Sequence, residues 1–252
     1  MATDFEKICV IGLGYVGLPT AAVFASRGLT VLGVDTNAAT VNLINQGKIH
    51  IVEPDLDILV NGAVTMGKLV AAEKPEPADA FIIAVPTPFG DGHEPDLSHV
   101  RAAARSIAPV LSPGSLVIIE STCPVGTTEQ FSRWLAGERP DLTFPHNQNE
   151  DAQVNIAHSP ERVLPGRVLL ELVRNDRVVG GLTRACAERT AALYKIAVEG
   201  DCHLTTAATA ELVKLSENAF RDVNIAFANE LSLIADKMNI DVWDAIELAN
   251  RH

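Results

Sequence analysis

The stretch Glu211-Leu-Val-Lys214-Leu-Ser-Glu-Asn218-Ala-Phe-Arg221 spaces a lysine, an amide and a guanidinium at i, i+4 and i+7, which in a helix is one face. Together they offer a group that moves a proton, a hydrogen-bonder that orients an oxygen, and a clamp for an anion. On an isolated helix such a face reads as solvated charge. Beside a redox cofactor it reads as the substrate half of a hydride-transfer site. A second set, Ser159-Pro160-Glu161-Arg162-Val163-Leu164-Pro165-Gly166, adds a carboxylate and a guanidinium just after a predicted strand; alone it is equally a solvated turn.

The cofactor half lies upstream. Ile8-Cys-Val-Ile-Gly12-Leu-Gly14-Tyr15-Val16-Gly17 is an apolar strand running into Gly-x-Gly-x-x-Gly. In that pattern Gly12 permits the tight turn, Gly14 lets a pyrophosphate approach the backbone, and Gly17 permits close helix–strand packing. The pyrophosphate would sit at the N-terminus of the following helix. A second predicted strand ends at Asp35, at about the 20-residue spacing of a ribose-binding acid. A carboxylate there accepts hydrogen bonds from the adenosine ribose and repels a 2′-phosphate, so NAD is expected over NADP. Two further strand ends, Val85-Pro86-Thr87-Pro88 and Glu120-Ser121-Thr122-Cys123-Pro124-Val125-Gly126-Thr127-Thr128, point at the same crevice. That puts Thr87, Thr122 and Thr128 within reach of the cofactor, although ordinary Pro/Thr turn chemistry explains the segments as well. Cys123 has no evident activating partner in sequence.

These groups need a frame. Apolar β-branched runs alternate with helical patterns, which predicts a Rossmann-type, doubly wound, mainly parallel α/β sheet followed by a long connecting helix. The expected strands are 8–11, 30–34, 80–85, 116–119, 154–157 and 173–179, with helices near 16–27, 37–46, 98–110, 126–137 and 183–197. Loops are expected at 86–95 and 140–153, the second as a mobile surface excursion. From about Thr206 to Asn239 one helix of roughly thirty residues is predicted, well beyond the globular average. A further helix starts at Val242. The expected division is 1–205 for the cofactor domain and 206–252 for the long helix and the start of a dimerisation domain.

Composition sets outer bounds. The 252 residues are 47 % hydrophobic, enough for one large core or two smaller ones. Twenty basic against 32 acidic residues give a net charge of −12, which argues against nucleic acid or an anionic membrane as partner. No apolar run reaches about 18 residues and the start lacks a signal-peptide pattern, so a cytoplasmic protein is expected. The four cysteines form no Cys-x-x-Cys pair and are expected as free thiols; the scattered histidines suggest no metal site.

The segments GLGYVGLPTA, AVPTP, ESTCPVGTT, SPERVLPG and AELVKLSENAFRDVNIAFANE stand here in the order found in the nucleotide-sugar 6-dehydrogenases, the UDP-glucose/GDP-mannose dehydrogenase family, which the chain resembles over its whole length. HIVEPDL, RPDLTFP, VLPGRVLLELVRNDRVVGG and FRDVNIAFANELSLI point within it to UDP-N-acetyl-D-mannosamine as substrate. The resemblance implies oxidation of a sugar C6 alcohol to a carboxylate with two NAD⁺. It implies that Tyr15, Val16, Asp35, Thr87 and Thr128 contact NAD, and that Arg162, Val163, Lys214, Asn218, Arg221 and His252 contact the UDP-sugar. Lys214 is the implied proton donor and acceptor, and Glu161 and Thr122 match positions that handle the hydrolytic water. A homodimer through the long helix is expected from its length and apolar content.

The residue types suit that chemistry. Oxidising a primary alcohol needs a base for its proton, and a lysine shifted toward neutrality by desolvation can serve. Asn218 can orient the oxygen beside it. A second oxidation needs the aldehyde captured by a thiolate, giving a thioester that water cleaves. In the family that thiolate belongs to a Gly-Gly-His-Cys segment, which this sequence lacks, along with the UDP-binding domain. The expectation is an N-terminal portion of a longer enzyme, inactive alone. Three alternatives stay open: a UDP-glucose 6-dehydrogenase, a β-hydroxyacid-type dehydrogenase performing one oxidation, and a module that only binds NAD and dimerises.

Overall fold

The computed structural model describes residues 5–164 and 166–251. The order is β1 (Lys7–Ile11), α1 (Gly17–Ser26), β2 (Thr30–Val34), α2 (Ala38–Asn45), α3 (Leu56–Thr65), β3 (Leu69–Ala72), β4 (Ala80–Ile83), α4 (Ser98–Ile107), β5 (Leu116–Ile119), α5 (Thr127–Glu138), β6 (Asn155–His158), α6 (Val168–Arg174), β7 (Arg177–Gly181), α7 (Arg184–Tyr194), β8 (Cys202–Thr206), α8 (Ala207–Lys237) and α9 (Val242–Ala249). The chain forms two compact units, Met1–Leu212 and Val213–His252.

The first unit is built on one eight-stranded sheet of order β3-β2-β1-β4-β5-β6-β7-β8. Strands β1 to β6 run parallel, with Ile8 to Ile11 paired to both Val31–Val34 and Ala80–Ile83. β7 pairs antiparallel to β6 through Ala157 and His158, and β8 follows β7 in parallel. The winding direction reverses between β1 and β4, which opens a crevice outside their carboxyl ends.

Strand chemistry explains the layering. Every residue of β4 and β5 is buried, as expected for strands covered on both faces. Alternate side chains enter two cores. Ile8, Val10, Ile82 and Ile118 pack with α1, α3 and α7 on one face; Cys9, Ile11, Ile83 and Ile119 pack with α4 and α5 on the other. Side chains cap several helices: Asn37 accepts from Ala39 N, and Thr183 from Cys186 N.

Several boundaries differ from the sequence expectation. The run expected as a strand over 173–179 divides instead. Val168 and Leu172, one helical turn apart, bury a face of α6, and the strand begins only at Arg177, after Asn175-Asp176. The strand expected over 80–85 stops at Ile83. α3, β3 and β8 carried too short or too mixed a pattern to be expected at all. The segment 140–153, expected as a mobile excursion, is tied down: Leu142 and Phe144 are buried, and Gln153 N donates to Thr143 O at 3.1 Å.

The second unit comprises the α8 residues from Val213 onward, and α9, whose N-cap Asp241 accepts from Trp243 N. It leaves large apolar side chains exposed, among them Phe220, Val223, Phe227, Leu233 and Trp243. Among the described residues no helix is long and apolar enough to cross a membrane.

Candidate functional site

β1 ends at Ile11 and the chain turns through Gly12 at φ +93°, a conformation that glycine adopts freely. A Cβ at Gly12 would stand 2.5 Å from Ala84 O, and one at Gly17 would stand 1.8 Å from Gly12 O, so both positions are closed by backbone. At Gly14 a Cβ would meet no protein atom within 4 Å. Two of the three glycines are thus closed by backbone, and the third leaves the approach to the backbone open.

The crevice beside them is a cavity of about 510 Å³. Gly12, Gly14, Tyr15, Val16 and Asp35 line it, with Thr36, Val85, Pro86 and His99 among the other walls. α1 begins here with no side-chain cap and no acid in its first turn, which leaves its N-terminal dipole available to an anion. The carboxylate of Asp35 is fixed at both oxygens: Leu13 N donates to Oδ2 at 3.0 Å and Asn37 N to Oδ1 at 2.9 Å. This combination, an uncapped helix start behind an open glycine and a positioned acid at the next strand end, fits the pyrophosphate and ribose of a dinucleotide.

Thr87, Thr122 and Thr128 do not line that cavity. Thr87 Oγ1 donates to Thr122 O at 2.7 Å, and Ser121 Oγ donates to Val85 O at 2.7 Å, so these bonds lace the ends of β4 and β5 together. Thr128 is fully buried and donates both its N–H (2.8 Å) and its hydroxyl (2.6 Å) to Glu211 Oε1, while Gly126 N donates to Glu211 Oε2 at 2.6 Å. Glu211 therefore caps α5 with a buried carboxylate, at the place where a helix favours negative charge. In the sequence, the one signal of this role is an acid standing among apolar helix positions.

On the loop after β6, Glu161 is buried, and its Oε2 accepts from Val163 N at 2.8 Å. Arg162 and Val163 are half-buried and line a small hollow with Glu171 and Arg177. Beneath this loop lies a network the sequence did not announce. Glu120 is buried and accepts from Tyr194 Oη at 2.7 Å and Thr20 Oγ1 at 3.3 Å, with Arg177 Nη1 at 3.6 Å. Burial pushes the Glu120 carboxyl up, against the Arg177 charge and the Tyr194 hydroxyl that pull it down. The guanidinium of Arg177 also stacks over the Tyr194 ring at 4.8 Å. These partners come from distant elements, so their meeting has no local pattern.

In the second unit, Lys214, Asn218 and Arg221 all fall within the unbroken helix α8 and so share one face; Lys214 is half-buried and the other two are exposed. His252 lies outside the described residues. Burial pushes the Cys123 and Cys9 thiols up to about 12, with the Glu211 charge adding to the effect at Cys123, which disfavours a thiolate at either. Among the described residues no group of three or more His, Cys, Asp or Glu could hold a metal ion.

Comparison with known proteins follows the same division. Residues 6–198 match the NAD binding domain of the UDP-glucose/GDP-mannose dehydrogenase family, and residues 208–252 match its central domain. The chain is 63 % identical over 250 residues to a UDP-N-acetyl-D-mannosamine dehydrogenase of Campylobacter jejuni, covering 99 % of this chain and 61 % of that protein. It is 62 % identical over 249 residues to an NDP-N-acetyl-D-galactosaminuronic acid dehydrogenase of Ralstonia nicotianae, covering 99 % of this chain and 59 % of the relative. A solved UDP-D-ManNAc dehydrogenase from Pyrococcus horikoshii superposes with a TM-score of 0.90 at 45 % identity, over 98 % of this chain and 58 % of that one. The chain thus spans about three-fifths of the length of the relatives it matches. With a glycine-lined dinucleotide cavity at its sheet switch point, this chain belongs to the UDP-glucose/GDP-mannose dehydrogenase family and carries its NAD-binding domain.

Proposed function

We propose that this chain supplies the cofactor domain and the proton-transfer helix of an NAD-dependent dehydrogenase. Its substrate would be UDP-N-acetyl-D-mannosamine, whose C6 alcohol is oxidised to the carboxylate. The observation that carries this reading is the cavity walled by Gly12, Gly14 and Asp35 in a chain more than 60 % identical to dehydrogenases named for N-acetylated sugar nucleotides. Overall, one alcohol, one water and two NAD⁺ give one carboxylate, two NADH and three protons. Bound NAD supplies the hydride acceptor; the remaining work falls to side chains. Tyr15, Val16 and Asp35, which line the cavity, are assigned to the cofactor; Thr87 and Thr128 join that assignment from the family resemblance alone, since neither lines it. Arg162, Val163, Arg221 and His252 are assigned to the sugar nucleotide.

Lys214 takes the proton of the C6 hydroxyl as its hydride departs, and Asn218 orients that oxygen. Glu161 and Thr122 hold the water that enters in the second stage. The functional division follows at 1–205 and 206–252. A homodimer through α8 belongs to the same reading, supported by the exposed Phe220, Val223 and Phe227. A cytoplasmic location is proposed with it, in keeping with four free cysteines.

The test counts NADH released per sugar nucleotide, on this chain and on the reading frame that encodes it. Two NADH from UDP-N-acetylmannosamine support the reading. Preference for UDP-N-acetylgalactosamine or UDP-glucose keeps the mechanism and changes the sugar, whereas one NADH returns the single-oxidation alternative. The 252-residue chain by itself is expected to bind NAD⁺ without turnover, because it spans only about three-fifths of the length of the relatives it matches.

A further inference from the structure

Glu53 stands in a loop between α2 and α3, where an acid would ordinarily be solvated, yet it is only 5 % exposed. Buried glutamates are rare unless paired. This one is met by three donors. Tyr15 Oη lies 2.6 Å and Gly166 N 3.0 Å from its Oε2, and Val168 N lies 2.8 Å from its Oε1. Burial would raise its carboxyl, but the Tyr15 hydroxyl and the Val168 and Gly166 N–H groups more than offset this and hold it below the ordinary range, so it stays ionised and accepts from all three.

The partners belong to two different loops. Tyr15 sits between the second and third glycines of the cofactor loop and lines the dinucleotide cavity. Gly166 and Val168 close the segment that begins at Glu161 and leads into α6. Two other carboxylates also hold that segment by its backbone, Glu161 at Val163 N and Glu171 at Leu164 N, both at 2.8 Å. Glu53 differs from them in reaching the cofactor loop at the same time.

We propose that Glu53 is a positioning residue that couples the seating of the dinucleotide against Tyr15 to the ordering of the substrate-side segment 161–168. Its carboxylate has one low-energy arrangement that satisfies all three donors. Fixing Tyr15 therefore fixes the acceptor for Gly166 and Val168, and the reverse holds equally. The coupling is reciprocal by linkage: whatever NAD⁺ contributes to segment order, an ordered segment returns as NAD⁺ affinity. The inference rests on the cofactor reading above.

The test is hydrogen exchange of the peptide spanning 160–174 in this chain, with and without saturating NAD⁺, alongside calorimetric titration of NAD⁺. In the wild type NAD⁺ should slow exchange of that peptide at least about fivefold, the low end of ordinary coupling between sites. Tyr15→Phe keeps the ring and removes only the hydroxyl, so by linkage NAD⁺ affinity should fall by the coupling factor, about fivefold, while the effect of bound NAD⁺ on 160–174 disappears. Glu53→Gln should behave the same way, because an amide has one acceptor oxygen and must turn its NH₂ toward a backbone N–H. Glu171→Gln, the control, should loosen the segment in both states and leave the NAD⁺-dependent difference intact. A purely structural Glu53 would likewise shift both states equally. Bound NAD⁺ with no change at 160–174 in the wild type, or full NAD⁺-dependent slowing in Tyr15→Phe, would overturn the coupling and leave the cofactor reading standing. Failure of the wild type to bind NAD⁺ would remove both.

Discussion

Replacing Asp35 with alanine tests the cofactor assignment most directly. A carboxylate offers about four acceptor positions. Two are taken by Leu13 N and Asn37 N, one on each oxygen. About two remain, the number that a ribose diol requires. A hydrogen bond to a charged group contributes about 1.5–3 kcal/mol. Because the two share one carboxylate and do not add fully, the expected loss is about 2–3 kcal/mol, or about 30- to 150-fold in Kd. Freeing Leu13 N also loosens the glycine loop, but that penalty falls on NAD⁺ and NADP⁺ alike. The ratio of their affinities therefore isolates the ribose contribution: NADP⁺ loses no diol contact and is relieved of repulsion at its 2′-phosphate. Calorimetric titration of both dinucleotides should show the preference for NAD⁺ shrinking by at least about tenfold. If NAD⁺ affinity falls less than about threefold and the ratio stays put, Asp35 does not hold the ribose and the cavity is misread.

The glycines separate binding from folding. Gly14→Ala should leave the denaturation midpoint nearly unchanged, within about 0.5 kcal/mol, while weakening NAD⁺; Gly17→Ala, whose Cβ would lie 1.8 Å from Gly12 O, should cost about 3 kcal/mol or more of stability. Glu211→Gln should destabilise the first unit by about 2–4 kcal/mol in urea, since one amide oxygen cannot serve both Gly126 N and Thr128 N. His158 is fully buried, neither ring nitrogen has a partner among the described residues, and burial lowers its pKa from the ordinary 6.5 to about 4. The unfolded chain then binds more protons between those values, so stability present above pH 6.5 falls by about 3 kcal/mol as the pH drops to about 4. His158→Leu should flatten that part of the curve, and an unaltered slope would contradict the assignment. In the reading frame that encodes this chain, Lys214→Ala should abolish NADH production with NAD⁺ affinity nearly constant; a parallel loss of affinity would place Lys214 at the cofactor instead.

Elements that rest on local repetition were legible from the amino-acid order alone. Continuous apolar runs gave β4 and β5, the Gly12/Gly14/Gly17 spacing marked the turn into α1, and the 3.6-residue period extended α8 to about thirty residues. Each of these follows from a rule acting within a few turns of chain, so a window of residues contains it. The same holds for the shared face of Lys214, Asn218 and Arg221. β3 and β8 escaped because short, half-exposed strands are stabilised by neighbours more than by their own pattern, and α3 because its mixed run, with Gly62 inside it, blurs the helical period. Which polar groups meet depends on the folded arrangement. Glu53 joins Tyr15 to Gly166 and Val168, Glu120 gathers Thr20, Tyr194 and Arg177, and Glu211 caps α5, all across long stretches of chain. A buried carboxylate is stable only where its donors converge in space. That convergence is a property of the folded sheet and its crossovers, and no spacing in the sequence records it.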